Sequence, residues 1–459
     1  TKREDAIIIK EKDLDFKINK DKNELKYWLQ KKIEIPKIIF STYQSSPVMN
    51  EVMKKYVIDF AVFDEAHRTA TVNRNSDSYF SNALFDENIK IKKRLFMTAT
   101  RRIGSKTMRH KEGDEKLNIN MDNHELYGNV CHSLSFTKAA KTHKCIAQLK
   151  IIVSEIFSDE VDNARTRISA THIEGEKLKS DYLAVLLAIK KAQEKYKINK
   201  VFTFNPSIPQ AEEFSISDGP LGINFYLKNF YTNFISGKMN MNTRDDIMLE
   251  FKSSNKALLA NKRCLVEGID VPSVNMVVFN SPKSSEVDIV QSIGRALRNR
   301  GQKNKKFGYV LVPIFIEKNK NESHSDAIKR TKFEKVTEII NALKFHDDEI
   351  AQIINKMILQ KIRGKGRNIG GSLGDFIEGN HPEISKKLLI ESISADIVDR
   401  LKTEWDEKIV GIIKFKEKYG HTNLYKEKKT DKKLIKFIAD VRRRWKKNKL
   451  LNFQIKQLE

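Results

Sequence analysis

Short apolar runs alternate with helical patterns in two stretches of the chain, and this alternation predicts parallel α/β sheets. In the first stretch, IIFSTYQS (38–45), YVIDFAVF (56–63) and KRLFMTAT (93–100) read as buried strands. In the second, NKVFTFN (199–205), KALLANKRC (256–264), VNMVVFN (274–280) and GYVLVPIFI (308–316) are the strand candidates. Between them TRDDIMLEFKSS (243–254) sets Ile247, Met248 and Phe251 on one helical stripe, and residues 177–196 predict a long helix leading into the second sheet. Residues 101–198 are otherwise less regular, with 110–128 expected as a loop entering a strand pair. EKNKNESHSD (317–326) reads as a polar linker, residues 326–361 as helical, and RGKGRNIGGSLGDF (363–376) as a basic glycine-rich loop.

The last sixty residues predict a small helical module. Trp405, Ile409, Ile412 and Tyr419 mark one helix face; Leu434, Phe437, Ile438, Val441 and Trp445 mark another. Around the second face Arg442, Arg443, Arg444 and Lys446 form a basic cluster suited to a phosphate backbone. Overall charge strengthens that expectation. The chain carries +25, and residues 400–459 hold 19 Lys and Arg against 8 Asp and Glu. A polyanion, nucleic acid first, is the expected partner. Three dispersed cysteines argue against a disulfide framework or a zinc site and fit a reducing compartment, the cytoplasm of a bacterium or of a virus-infected host. No run of eighteen apolar residues is present.

The chemistry lies where the strands end, because ligands of open α/β sheets bind beyond the carboxyl ends of the strands. Asp64 follows IDFAVF directly, so its carboxylate emerges there, with Glu65 beside it. One acid suits a Mg²⁺ ion and the second suits the orientation of a water. Acids also commonly end strands and cap the next helix. The tetrapeptide DEAH, with other motifs following it in order, favours the catalytic reading.

Those motifs carry a resemblance. FDEAHR (63–68), MTAT (97–100), FSTYQS (40–45), FTFN (202–205), RCLVEGIDVPSVNMVVF (263–279) and DIVQSIGRALR (288–298) resemble, in order, motifs of superfamily 2 helicases of the DEAD/DEAH-box type. The aromatic and basic spacing of the C-terminal module resembles one helicase-associated repeat. The resemblance implies two RecA-like parallel-sheet motor domains, the first incomplete, followed by a small all-helical module. The expected boundaries are 1–155, 156–320, a helical linker over 321–398, and 399–459.

It also implies roles. Asp64 and Glu65 would serve Mg²⁺ and the attacking water, His67 would sense nucleotide, and Thr98 and Thr100 would relay hydrogen bonds from the acids. Gln291, Arg295 and Arg298, at i, i+4 and i+7, would present one helix face to ATP. Gly268 and Asp270 would couple nucleotide binding to movement, and Thr42 would touch the nucleic-acid backbone. Phe204 and Asn205 would lie near the nucleic-acid path or the adenine edge. Gly294 costs a helix about 1 kcal/mol relative to Ala, which points to a packing or functional reason for it.

The implied activity is ATP-dependent movement on nucleic acid, DNA ahead of RNA. Two further readings are the motor portion of a restriction-modification enzyme and a non-catalytic nucleic-acid-binding scaffold. No Gly-x-x-x-x-Gly-Lys-Ser/Thr loop occurs in the 459 residues. The expectation is therefore a chain that starts after the first strands of its first motor domain and shows little ATPase activity alone.

Overall fold

A computed structural model of the chain describes residues 21–70, 79–101, 121, 123–170, 179–266, 271–280, 285–300, 305–362, 371–426, 431–446, 450, 454, 455 and 458. The chain divides into two compact units, Ile8–Leu134 and Ser135–Glu459.

In the first unit Ile58–Phe63 (β1) and Ile91–Phe96 (β2) pair in parallel, with Ile58 opposite Ile91 and Phe63 opposite Phe96. Helix Ser46–Met53 buries Met49 and Met53 in the same cluster as Phe63, Ala66, Ile89 and Ile91. The strand expected at 38–45 is absent. That stretch holds a single 3₁₀ turn at Tyr43–Ser45, and Phe40 is 95% exposed. An apolar run becomes a strand only where its backbone finds a ladder partner, and among the described residues β1 pairs with β2 alone. Phe60 and Val62 of β1 are accordingly more than half exposed.

The second unit is built on seven strands: Gln148–Phe157 (β3), Lys200–Phe204 (β4), Tyr231–Phe234 (β5), Ala257–Asn261 (β6), Met276–Phe279 (β7), Phe307–Ile316 (β8) and Ile377–Gly379 (β9). Their spatial order is β5-β6-β4-β7-β8-β3-β9, and every pair is parallel. Side chains alternate across the sheet as a two-residue period demands. Leu149, Ile151 and Val153 of β3 enter one core, with helices 241–253, 286–297 and 334–344; Ile152 and Ile156 enter the other, with helices 158–169 and 180–196.

Two expectations about this unit are corrected. The boundary at 155/156 falls inside β3, the longest partner of β8, so the second unit takes in that strand. Residues 321–398 are not a linker: Ile328, Val336, Ile354, Leu389 and Ile393 belong to the same core as Phe202 and Val310. β9 extends the sheet from within that region. It is tied down by Glu155, a fully buried residue of β3 whose Oε2 accepts the N–H groups of Asn380 (3.0 Å) and His381 (3.1 Å). Burial pushes the Glu155 carboxyl above its ordinary range, against those two hydrogen bonds.

Candidate nucleotide and nucleic-acid sites

At the end of β1 the chain turns sharply. Glu65 takes the left-handed conformation at φ 49°, ψ 42°, an expensive geometry for a residue with a Cβ. Asp64 Oδ1 accepts the Glu65 N–H at 2.9 Å, and the Tyr43 hydroxyl donates to the Asp64 carbonyl at 2.7 Å. Burial, with Asp64 beside it, pushes the Tyr43 phenol up to about 12, so it stays a donor at neutral pH. The turn is locked to the next strand, since Ala66 donates to the Met97 carbonyl and Met97 to that of Phe63, each at 2.9 Å.

His67 lies almost fully buried under this turn. Its Nδ1 sits 3.2 Å from Glu65 Oε2 and 3.0 Å from Thr98 Oγ1. Thr98 Oγ1 in turn accepts the Thr100 N–H at 3.0 Å. Glu65 thus lies within ion-pair distance of the histidine that contacts the threonine loop. Thr100 is buried, and Thr42 is exposed at the 3₁₀ turn with its hydroxyl 3.0 Å from Ser45 Oγ. Tyr127 supports the base of the turn through Thr69 Oγ1 at 2.8 Å.

The donor set suits Mg²⁺. Asp64 presents an exposed carboxylate, and one carboxylate with waters and phosphate oxygens is a usual Mg²⁺ environment. No group of three His, Cys, Asp or Glu converges among the described residues, so a dedicated protein cage is not offered there.

In the second unit, helix Glu286–Leu297 carries Gln291 and Arg295, both half-buried. Arg298 does not complete that face. It is the residue after the helix, in extended conformation, and it bridges antiparallel to Ile146. Gly294 leaves open space where a Cβ would stand, so packing within the described chain does not require it. Gly308 of β8 is different: a Cβ there would meet the Ala296 carbonyl oxygen at 2.4 Å, so the strand can approach this helix only as glycine.

Sequence reasoning missed Lys305. Its ammonium donates to the carbonyls of Pro272 (2.9 Å), Val274 and Arg298, tying the segment before β7 to the end of the 286–297 helix. Burial draws its pKa down to about 7. Arg263 also braces this helix, through an ion pair with the buried Asp288 at 2.8 Å.

Phe204 and Asn205, at the end of β4, are both buried. Phe204 is buried and stacked on Phe279 at 5.6 Å. Asn205 is buried at the strand ends, where it bonds Thr203 and accepts from Asn280 Nδ2 at 2.6 Å. Gly268 and Asp270 lie outside the described residues.

The C-terminal helices Glu404–Tyr419 and Lys432–Lys446 pack through Trp405 and Phe437, whose ring centroids are 4.8 Å apart. Arg444 turns inward, its guanidinium 6.0 Å from the Trp405 ring centre and 3.3 Å from Gln454. It is therefore not part of the outward basic cluster. Arg443 is 71% exposed and bonded to Asp440. Arg442 and Lys446 are exposed, and Trp445, expected in the packing face, is 55% exposed because the helix outruns its core at Val441.

The family model of the helicase conserved C-terminal domain matches residues 178–300, the span from the helix before β4 to the Arg298 turn. A helicase of African swine fever virus (isolate Pig/Kenya/KEN-50/1950), named "Probable helicase A859L", is 23% identical over 312 residues, 68% of this chain. Residues 178–300 thus carry the mark of a helicase conserved C-terminal domain, and the chain is similar to helicases over two thirds of its length. The chain is also 25% identical over 180 residues to the transcription-repair-coupling factor of Bacillus subtilis (strain 168), covering 39% of this chain and 14% of that protein. It spans about a third (31%) of the viral relative's length. Among solved structures its fold matches the ATP-dependent Type ISP restriction-modification enzyme LlaBIII bound to DNA, with TM-score 0.60 and 24% identity over 87% of this chain and 27% of that one. A nuclease-deletion mutant of the Type ISP enzyme LlaGI in complex with a DNA substrate mimic matches with TM-score 0.51 and 20% identity, over 92% of this chain and 28% of that one.

Proposed function

We propose that this chain is the motor portion of an ATP-dependent enzyme that moves on DNA. The observation that carries the reading is the relay under the DEAH turn: a strained Glu65, a buried His67 shared between Glu65 and Thr98, and the exposed Asp64 carboxylate. Such a relay lets a change at the acids reach the loop after β2. When bound, Mg²⁺ would neutralise charge on the triphosphate. In the first unit Asp64 would hold it and Glu65 would orient a water; in the second, Arg295 would offer positive charge and Gln291 a hydrogen-bonding amide to a triphosphate. Thr42, Arg442, Arg443 and Lys446 would bear on the nucleic-acid backbone, as a helicase-associated module would. The DNA-bound restriction-modification enzymes that share the fold favour DNA over RNA, and they support a second reading in which the motor serves such an enzyme.

The test is equilibrium binding of 20-nucleotide oligo-dT and a 20-base-pair duplex across a salt series. Backbone gripping predicts affinity that falls steeply with salt, log K against log salt having a slope of about −0.7 per phosphate contacted on a single strand. Absence of binding at low salt, or affinity indifferent to salt, sinks the proposal.

A further inference from the structure

Trp445 stands apart from the other two tryptophans. Trp28 is partly covered, with the Lys37 ammonium 5.6 Å from its ring centre, and Trp405 is packed against Phe437. Trp445 leaves more than half of its surface to solvent, at the end of a helix that holds seven Lys and Arg against one Asp over residues 432–446. Arg442 and Lys446 are i,i+4 neighbours of each other, about 60° and 100° around the helix from Trp445, so both lie on one flank of the indole. Among the described residues neither has a carboxylate partner, whereas Arg443 and Arg444 are already engaged with Asp440 and with Trp405 and Gln454.

An exposed indole with two cations on one flank offers two interactions at once. The ring face stacks on a flat aromatic partner, and the cations grip the anionic chain that runs past it. A second copy of this helix would bring the same positive charge against it and is disfavoured. Duplex DNA offers phosphates but keeps its base faces covered by stacking. An unpaired strand offers both.

We propose that Trp445 is a stacking platform for one unpaired base of single-stranded DNA, with Arg442 and Lys446 on the flanking phosphates. The proposal rests on the reading of the chain as a DNA motor and adds the strand state that the C-terminal module recognises.

The test uses the full 459-residue chain with labelled oligo-dT, oligo-rU and a duplex of equal length, read by anisotropy and by tryptophan fluorescence. Trp445→Ala weakens oligo-dT binding about tenfold and leaves duplex binding unchanged, while Trp445→Phe retains most of the affinity. Oligo-dT quenches the fluorescence of the wild type and not that of Trp445→Phe. Arg442→Ala with Lys446→Ala weakens both DNA forms and reduces the single-strand salt slope by about 1.4. An oligo-dT affinity indifferent to Trp445→Ala, or an equal loss on the duplex, overturns the platform while leaving the motor reading intact. Tighter binding of oligo-rU than oligo-dT overturns the assignment to DNA. Self-association of the wild type that Trp445→Ala abolishes overturns it in favour of a second copy. Failure of the wild type to bind any of the three removes both readings.

Discussion

Lys305→Met isolates the clasp between the segment before β7 and the end of the 286–297 helix. The substitution keeps an apolar stem of similar length and removes the ammonium, so the carbonyls of Pro272, Val274 and Arg298 lose their donor. A buried acceptor left unsatisfied costs at least about 1 kcal/mol, which gives about 3 kcal/mol for the three if water does not enter. A second effect depends on pH. Burial holds the folded Lys305 at about 7, below its ordinary 10.5. Between those values the unfolded chain binds the proton more tightly than the folded one, so stability rises as pH rises through that window and is lost as pH falls toward 7. The Met variant lacks this contribution. The stability difference between wild type and variant therefore widens by about 2 kcal/mol from pH 7 to pH 9. Urea unfolding followed by far-UV circular dichroism at pH 6, 7, 8 and 9 measures it. A difference that stays flat with pH, or narrows toward pH 9, refutes the account of Lys305 as a buried ammonium held against its desolvation cost.

Other perturbations follow from the same geometry. Glu155→Gln keeps an acceptor for Asn380 and His381 and removes a buried charge; because the folded carboxyl titrates above its unfolded value, the charge costs stability as pH rises, so the variant gains on wild type at neutral pH and the gain disappears in acid. Glu155→Ala strands the two N–H groups and costs about 2–3 kcal/mol in the same unfolding assay. Gly308→Ala forces β8 away from the Ala296 carbonyl and lowers the melting temperature by several degrees, whereas Gly294→Ala, with open space for its methyl, raises stability by about 1 kcal/mol. Thr98→Val removes the partner of His67 and of the Thr100 N–H and costs about 1–2 kcal/mol locally, seen as faster hydrogen exchange around residues 96–100.

Much of the second unit was legible in the sequence because its strands are buried on both faces and read as unbroken apolar runs. β4, β7 and β8 fall within a few residues of expectation. β3 was not legible: Ser154 and Glu155 interrupt its apolar run, yet both are fully buried and hydrogen-bonded to residues more than two hundred positions away. β5 and β9 are too short to carry a pattern. The strand at 38–45 was over-read, since hydrophobicity reports a wish for burial and not the presence of a partner. At the site, acids and cations at motif spacing were visible, but their supports were not. Tyr43 and Lys305 act on backbone carbonyls, which every residue carries and which leave no mark in the sequence. The end of the helix at Leu297, which turns Arg298 out of line with Gln291 and Arg295, was also invisible, because the helical pattern runs on through it.

On the proposed reading Asp64 and Glu65 are the acids of an ATP-driven DNA motor, while no Gly-Lys-Ser/Thr phosphate loop is present in the 459 residues. Phosphate release from Mg²⁺-ATP at saturating oligo-dT tests that most directly, with Glu65→Gln as the reference. The predicted result is DNA binding with a hydrolysis rate no higher than that of Glu65→Gln. DNA-stimulated hydrolysis that Glu65→Gln abolishes would contradict it.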